Sequence, residues 1–248
     1  MSVESFMDPL LSPLLKLGYF WALFVLSFVI TIIITLIYKY TTNQSLMKDL
    51  KDELKALQKE AKELRNQPEK AMEVQKKVMD TNSKYMMHSF KPMIFTFIPV
   101  ILFFGWMNLH LAYYPIAPGE EFSVTMDFND GVMGFVDIVP VEGITSINGL
   151  NQTIMAGKAS WILKGEAGEY SLVYNFNGAT YYNDVLITNE KNYAVPLKQI
   201  NKDGIKSITI NNKPVLFNFL VHNFGWLGTY IIFSLILSSL LRKWLKVY

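Results

Sequence analysis

From Gly18 to Tyr38 the chain reads GYFWALFVLSFVITIIITLIY, 21 residues without Asp, Glu, Lys or Arg. A helix of that length rises about 30 Å, the thickness of a bilayer's hydrocarbon core. Apolar runs in buried core helices are nearer 10–14 residues, so this stretch reads as a transmembrane span. Two more uncharged stretches follow, Pro92–Tyr114 with 23 residues and Val215–Leu241 with 27. Pro99 removes a backbone donor inside the second and is expected to kink it.

Working outward, the 248-residue chain is 51% hydrophobic and 18% charged, with a formal charge of +2. That composition excludes a disordered chain, and it excludes a nucleic-acid binder that relies on bulk positive charge. Outside the three stretches the charged fraction returns to about a quarter, an ordinary soluble value. The expected organisation is a short outer segment (1–17), a first span (18–40), a cytoplasmic hairpin (44–90) and a second span (92–114). An outer β-domain (115–214), a third span (215–241) and a basic tail (242–248) complete it.

The charges orient the spans. Lys39–Lys91 holds 12 basic and 8 acidic residues, and the tail adds Arg242, Lys243 and Lys246. Pro115–Pro214 holds 7 basic and 11 acidic residues, and Met1–Leu17 has Lys16 against Glu4 and Asp8. Basic residues near span ends mark the cytoplasmic side, which places the N-terminus outside and the C-terminus inside, in a plasma membrane. Trp21, Trp106 and Trp226 fall at the outer ends and Tyr38, Tyr40 and Trp244 at the inner ones, where interfacial aromatics belong. No basic region precedes the first apolar run, so a cleaved signal peptide is not expected. With Cys 0, disulfides and thiol chemistry are excluded.

Met47, Leu50, Leu54, Leu57, Ala61 and Leu64 repeat at spacings of three and four, the seam pattern of a coiled coil. The run stops at Asn66-Gln67-Pro68, and Pro68 can open a second helix. Ala71, Val74, Val78 and Tyr85 share one face of that second arm. Met72, Met79, Met86 and Met93 recur every seven residues, with Met87 beside them. They either fill gaps between the arms or form a flexible surface that contacts varied apolar clients.

Between the second and third stretches the period changes to two. Phe122–Phe128 and Ile205–Ile210 alternate, and turn pairs recur at Asn148-Gly149, Asn177-Gly178 and Asp203-Gly204. A sandwich-like all-β domain is expected. Tyr170 just after a glycine resembles the tyrosine corner of immunoglobulin-like sandwiches. Asn151-Gln152-Thr153 is a glycosylation sequon on the outer side, while Asn43-Gln44-Ser45 has the same pattern on the inner. His88, His110 and His222 have no metal-ligand spacing, and no phosphate loop or nucleophile elbow is present. No metal, cofactor or enzymatic activity is expected.

Polar residues inside the spans form stripes. Ser27, Thr31, Thr35 and Lys39 are four residues apart, as are Ser234, Ser238 and Arg242; Thr96 lies near the inner end of the second span. Residues at that interval share a helix face. Such hydroxyls either bond to their own backbone or line a polar recess open to the cytoplasm. A recess would shorten the dry path for a client's polar flank, which otherwise costs several kcal/mol per unsatisfied group.

The layout resembles the YidC-type insertase superfamily, in its archaeal and eukaryotic three-span branch, which includes the third subunit of the endoplasmic reticulum membrane protein complex. Pro99–Asn108 looks like that family's second span, and Asn218–Gly225 with Tyr230 and Ser234–Leu237 like its third. The resemblance implies an insertase that receives hydrophobic client helices in a cytoplasmic groove and releases them into lipid without nucleotide hydrolysis. Its partners would be newly made membrane proteins and the lipid bilayer, with a ribosome at the hairpin and a second membrane subunit as further candidates. No sequence-specific nucleic-acid contact is implied. Relatives carry a basic residue within the groove; here Lys39 and Arg242 stand in at its inner end. The β-domain lies outside the family's shared core. A membrane-anchored scaffold, with an outer binding domain and a cytoplasmic docking hairpin, is the alternative. An intramembrane protease is disfavoured because His222 and Ser234 would lie about 18 Å apart along one helix. A transporter is disfavoured by the lack of an internal repeat pair.

Overall fold

The computed structural model describes residues 3–219 and 222–247 and divides into two compact units, Met1–Gly105 with Leu227–Tyr248, and Trp106–Trp226. The first unit is helical. It contains α1 (Val3–Leu15), α2 (Tyr19–Thr41), α3 (Gln44–Glu63), most of α4 (Pro68–His110) and α5 (Trp226–Leu245).

α1 forms where the sequence reading placed only a short outer segment. Met7, Leu11 and Leu15, four residues apart, are buried on one face while Leu10 and Leu17 are exposed. Gly18, at φ 91°, supplies the left-handed conformation that turns the chain from α1 into α2. Asn43 opens α3 as its N-cap, its side chain accepting from the Leu46 amide at 3.2 Å.

The expected seam is present. Met47 and Leu50 are buried, and Leu54, Leu57, Ala61 and Leu64 are half-buried between exposed Lys and Glu residues. Opposite them, Ala71, Val74, Val78, Thr81, Tyr85 and Ser89 are the shielded positions of α4. Thr81 ties the arms by donating to Glu53 Oε1 at 3.2 Å. These contacts establish a two-armed hairpin without establishing supercoiling.

The second arm and the second span are one continuous helix of 43 residues. Pro92 and Pro99 both lie inside it and do not end it. Among the described residues, α2 and α4 are long and apolar enough to cross a bilayer. In α4 just 22% of the most apolar window is buried. A core helix of a soluble protein would be covered there.

The third stretch departs from expectation. A helix was expected from Val215, but the described residues between Val215 and Gly225 are not helical and α5 begins at Trp226. Phe217–Phe219 (β10) and His222–Phe224 (β11) pair as an antiparallel ribbon; Leu220 and Val221, part of the expected span, lie outside the described residues. Hydropathy reports solvent preference and not backbone conformation. Here aromatic residues alternate with Asn218, His222 and Asn223, a pattern that suits a strand. The uncharged part of α5 is therefore Trp226–Leu241, about 24 Å long.

Besides that ribbon, the second unit has two larger antiparallel sheets. One has the order β3 (Ile144–Ser146), β5 (Lys158–Gly165), β1 (Glu121–Phe128), β9 (Ile205–Ile210), β8 (Leu197–Lys202). The other runs β4 (Asn151–Thr153), β2 (Phe135–Ile138), β6 (Gly168–Phe176), β7 (Ala179–Ile187). Alternate residues of both sheets enter one core, where Phe128 meets Phe176 at 5.1 Å between ring centroids and Trp161 meets Tyr174 at 5.2 Å. Two antiparallel sheets sharing one core agree with the expected all-β domain. Tyr170 forms its corner, its hydroxyl donating to the Glu166 carbonyl at 3.1 Å. Its ring lies against Gly143, where an added Cβ would come within 2.7 Å of the phenol oxygen.

Candidate functional site

Helices α2, α4 and α5 pack with alternating direction. Phe233 of α5 meets Phe20 and Phe24 of α2 at 5.6 and 5.3 Å between ring centroids. Farther along both helices the Arg242 guanidinium lies 4.8 Å over the Tyr38 ring. α2 and α5 therefore run the same way. α4 runs against them, since Phe104 meets Tyr230 at 4.8 Å while Ser89 meets the Tyr38 hydroxyl at 3.4 Å. Three helices are thus held together near both ends.

The stripe of α2 is buried. Ser27, Thr31 and Thr35 are 0%, 3% and 2% exposed. Each hydroxyl donates to the carbonyl four residues earlier: Ser27 to Leu23 at 2.7 Å, Thr31 to Ser27 at 2.6 Å and Thr35 to Thr31 at 2.7 Å. That arrangement satisfies the O–H donors without a cavity. Lys39, the next member, is half-buried. On α5, Ser234 and Ser238 are half-buried and bond to the carbonyls of Ile231 and Leu235 at 3.0 and 3.2 Å. Thr96 does the same with Met93 at 2.9 Å. Among the described residues, no stripe hydroxyl bonds to another stripe. The point of meeting is the C-terminal end of α2, where Arg242 reaches it through Tyr38 and not through Lys39.

Of the residues at that junction the sequence reading singled out Tyr38, Tyr85 and Arg242, each for a different reason, and not Ser89. Tyr38 meets Ser89 and Arg242, and Tyr85 lies beside it. The signal available beforehand was an aromatic at the inner interface, which suggested an anchor and not a three-helix junction.

The methionine row is exposed. Met72, Met79, Met86 and Met93 are 74%, 67%, 49% and 59% exposed, and Met87 is 70% exposed. They do not fill the space between the arms, because the Ala71, Val74 and Val78 face does. The exposed apolar surface continues along α4 through Phe90, Ile94, Phe97, Ile98 and Ile101. Near its middle Tyr85, Met86, Ser89, Phe90 and Met93 line a depression of about 200 Å³. Methionine surfaces of this kind adapt to apolar segments of varied shape.

Asn151 lies exposed on the edge strand β4, its amide donating to Asp137 Oδ1 at 2.7 Å. At the C-terminal end of α4, Tyr193 donates to the Asn108 carbonyl at 2.6 Å and accepts from the Ala112 amide at 3.0 Å. One phenol thus satisfies two backbone groups that the helix end leaves open. No residue pattern in the sequence announced that pairing. No group of three or more His, Asp or Glu placed to hold a metal ion occurs among the described residues.

A family model described as integral membrane protein EMC3/TMCO1-like matches residues 4–159. The match covers α1 to α4, continues into the β-domain as far as the start of β5, and does not include α5. Comparison with curated proteins and with solved structures gave no match.

Proposed function

The chain belongs to that family of EMC3/TMCO1-like integral membrane proteins, within the YidC-type insertase superfamily, and on this premise we propose that it is a membrane-protein insertase. A client's apolar helix first rests on the methionine row of α4 and then passes along the same helix into lipid. The observation that carries this reading is the run of exposed apolar side chains from Met86 to Ile101 on one unbroken helix. A hydrophobic segment can move along it without crossing a charged barrier, since Lys91 is the sole charged residue between Met86 and Ile101.

In this reading α5 is a third, short span, and the charge balance sets the N-terminus outside and the C-terminus in the cytoplasm of a plasma membrane. The chain stands nearest the archaeal three-span branch. Ser27, Thr31, Thr35, Lys39, Thr96, Ser234, Ser238 and Arg242 form the polar side of the path. Separation of α2 from α5 at the Tyr38–Arg242 contact would expose it. No nucleotide is used; the client's own partitioning drives insertion. A ribosome at the hairpin and a second membrane subunit are the expected partners.

The test is insertion of a short-tailed client into proteoliposomes. Replacing Thr31 and Thr35 by Val should reduce insertion several-fold while changing stability little, because each hydroxyl already bonds to its own backbone. Reversing the charge of Lys39 should have a similar effect. Photo-crosslinkers at Met79, Thr31 and Ser238 should each capture the client. Full insertion by the folded variants, with crosslinks from Met79 alone, would leave the hairpin as a docking scaffold and remove the polar path.

A further inference from the structure

The two sheets of the outer domain have four edges, and three are blunted. β3 and β4 are three residues long. β8 carries Lys198 and Lys202 and a register shift between Gln199 and Lys202. Short length, lysines and irregularity are the usual guards against edge-to-edge pairing. β7 has none of them. It is nine residues long, pairs with β6 without a shift, and has Asp184 as its one charge.

The turn before β7 fixes which backbone groups face outward. Asn177 and Gly178 both have positive φ, 49° and 77°, which marks a two-residue primed turn. Phe176 and Ala179 are then a hydrogen-bonded pair, and alternate residues point the other way. Thr180, Tyr182 and Asp184 therefore direct their N–H and C=O groups to the open edge. Among the described residues none of these groups has a hydrogen-bond partner. Farther along, the edge is taken up by the chain itself, where Thr188 donates to the Ile116 carbonyl at 2.9 Å.

One side chain on the strand is also incomplete. Asn183 is 3% exposed, points to the core side, and its Nδ2 has no partner. A buried amide donor left unpaired is destabilising, because it has given up water and gained no partner.

We propose that β7 is a self-association edge, with two copies pairing β7 to β7 antiparallel about Asn183. Centring on Asn183 sets it opposite the partner's Asn183 as a close, non-hydrogen-bonded pair, with Cα atoms about 4.5 Å apart. Each amide then supplies what the other lacks. On the outer face Tyr182 stands opposite the partner's Asp184, a phenol donor against a carboxylate. A shift that centres the pair on Asp184 puts like charges opposite each other and Asn183 against Val185. Charge and hydrogen bonding thus select one register out of those the edge allows. The result is a continuous eight-stranded sheet across two copies.

The chain has no cysteine, so introduced cysteines report the pairing cleanly. Full-length protein in detergent is the sample, because an antiparallel pair needs a two-fold axis perpendicular to the sheet and detergent imposes no direction on it. N183C should form a disulfide-linked dimer under mild oxidation, while Y182C and D184C should each fail alone and crosslink when mixed. Light scattering should give twice the chain mass for the parent and the single mass for Tyr182→Pro, which removes an outward N–H. A parent that is monomeric at tens of micromolar overturns the proposal. So does a dimer that survives Tyr182→Pro with N183C uncrosslinked, or N183C crosslinking in intact membranes to a different polypeptide.

Discussion

The β-domain and the helical unit treat the same residue types in opposite ways. In the sandwich, Phe128, Trp161, Leu163 and Tyr174 are 2% exposed or less. On α4, Phe95, Phe97, Ile98 and Ile101 are more than half exposed. In water such exposure would cost about 25 cal/mol for each Å² left uncovered. In lipid it costs little, because acyl chains are as apolar as the side chains. The contrast shows that one unit is folded by water and the other is solvated by hydrocarbon.

The strongest way to break that contrast is to truncate matched residues. Leu163→Ala, in the sandwich core, should cost about 2–5 kcal/mol through lost burial and the cavity it leaves. Ile98→Ala, 66% exposed on α4, should stay within about 0.5 kcal/mol in detergent. Hydrogen exchange, read separately over β-domain and helix peptides, measures both. Equal losses would mean that α4 is buried in water-like surroundings and is not a lipid-facing helix.

A smaller effect tests how the sandwich is fastened. Tyr170→Phe removes the hydroxyl that bonds to the Glu166 carbonyl and keeps the ring against Gly143. The loss should be about 1 kcal/mol by denaturant unfolding, without change to the helical unit.

The smallest concerns pH. Lys213, hydrogen-bonded to Glu120, and next the Ala117 amide hold that carboxyl below its ordinary range. A carboxylate whose pKa is lowered by folding contributes stability above its unfolded value and loses it as pH falls through the folded one. Glu120 is a third exposed, so the contribution should be a few tenths of a kcal/mol. Glu120→Gln should flatten the β-domain's stability profile below about pH 5 by that amount. An unchanged profile would show the pair contributes nothing.

What could be read from sequence followed from solvent preference and period. The runs at α2 and α4, the alternation of β1 and β9, and the Tyr170 corner were legible because each depends on a few neighbouring residues. The strands at Phe217–Phe219 and His222–Phe224 were hidden because an uncharged aromatic run fits a span and a ribbon equally well. The methionine row could not be assigned a side, since it and the Ala71 face both recur at helical spacing. Which one faces the other arm depends on α3, not on α4. The burial of Thr31 and Thr35 was equally hidden, because a hydroxyl can bond to its own helix or to a cavity without changing the sequence pattern.

α4 is about 65 Å of helix with no loop in it. Pro92 and Pro99 drop two rungs of its hydrogen-bond ladder seven residues apart, and therefore on nearly the same side. A rod weakened twice along one side bends in one plane and stays stiff in the other. A load placed on the methionine row would then reach the far end of α4 as a tilt of fixed azimuth, its direction of swing written by two imino acids.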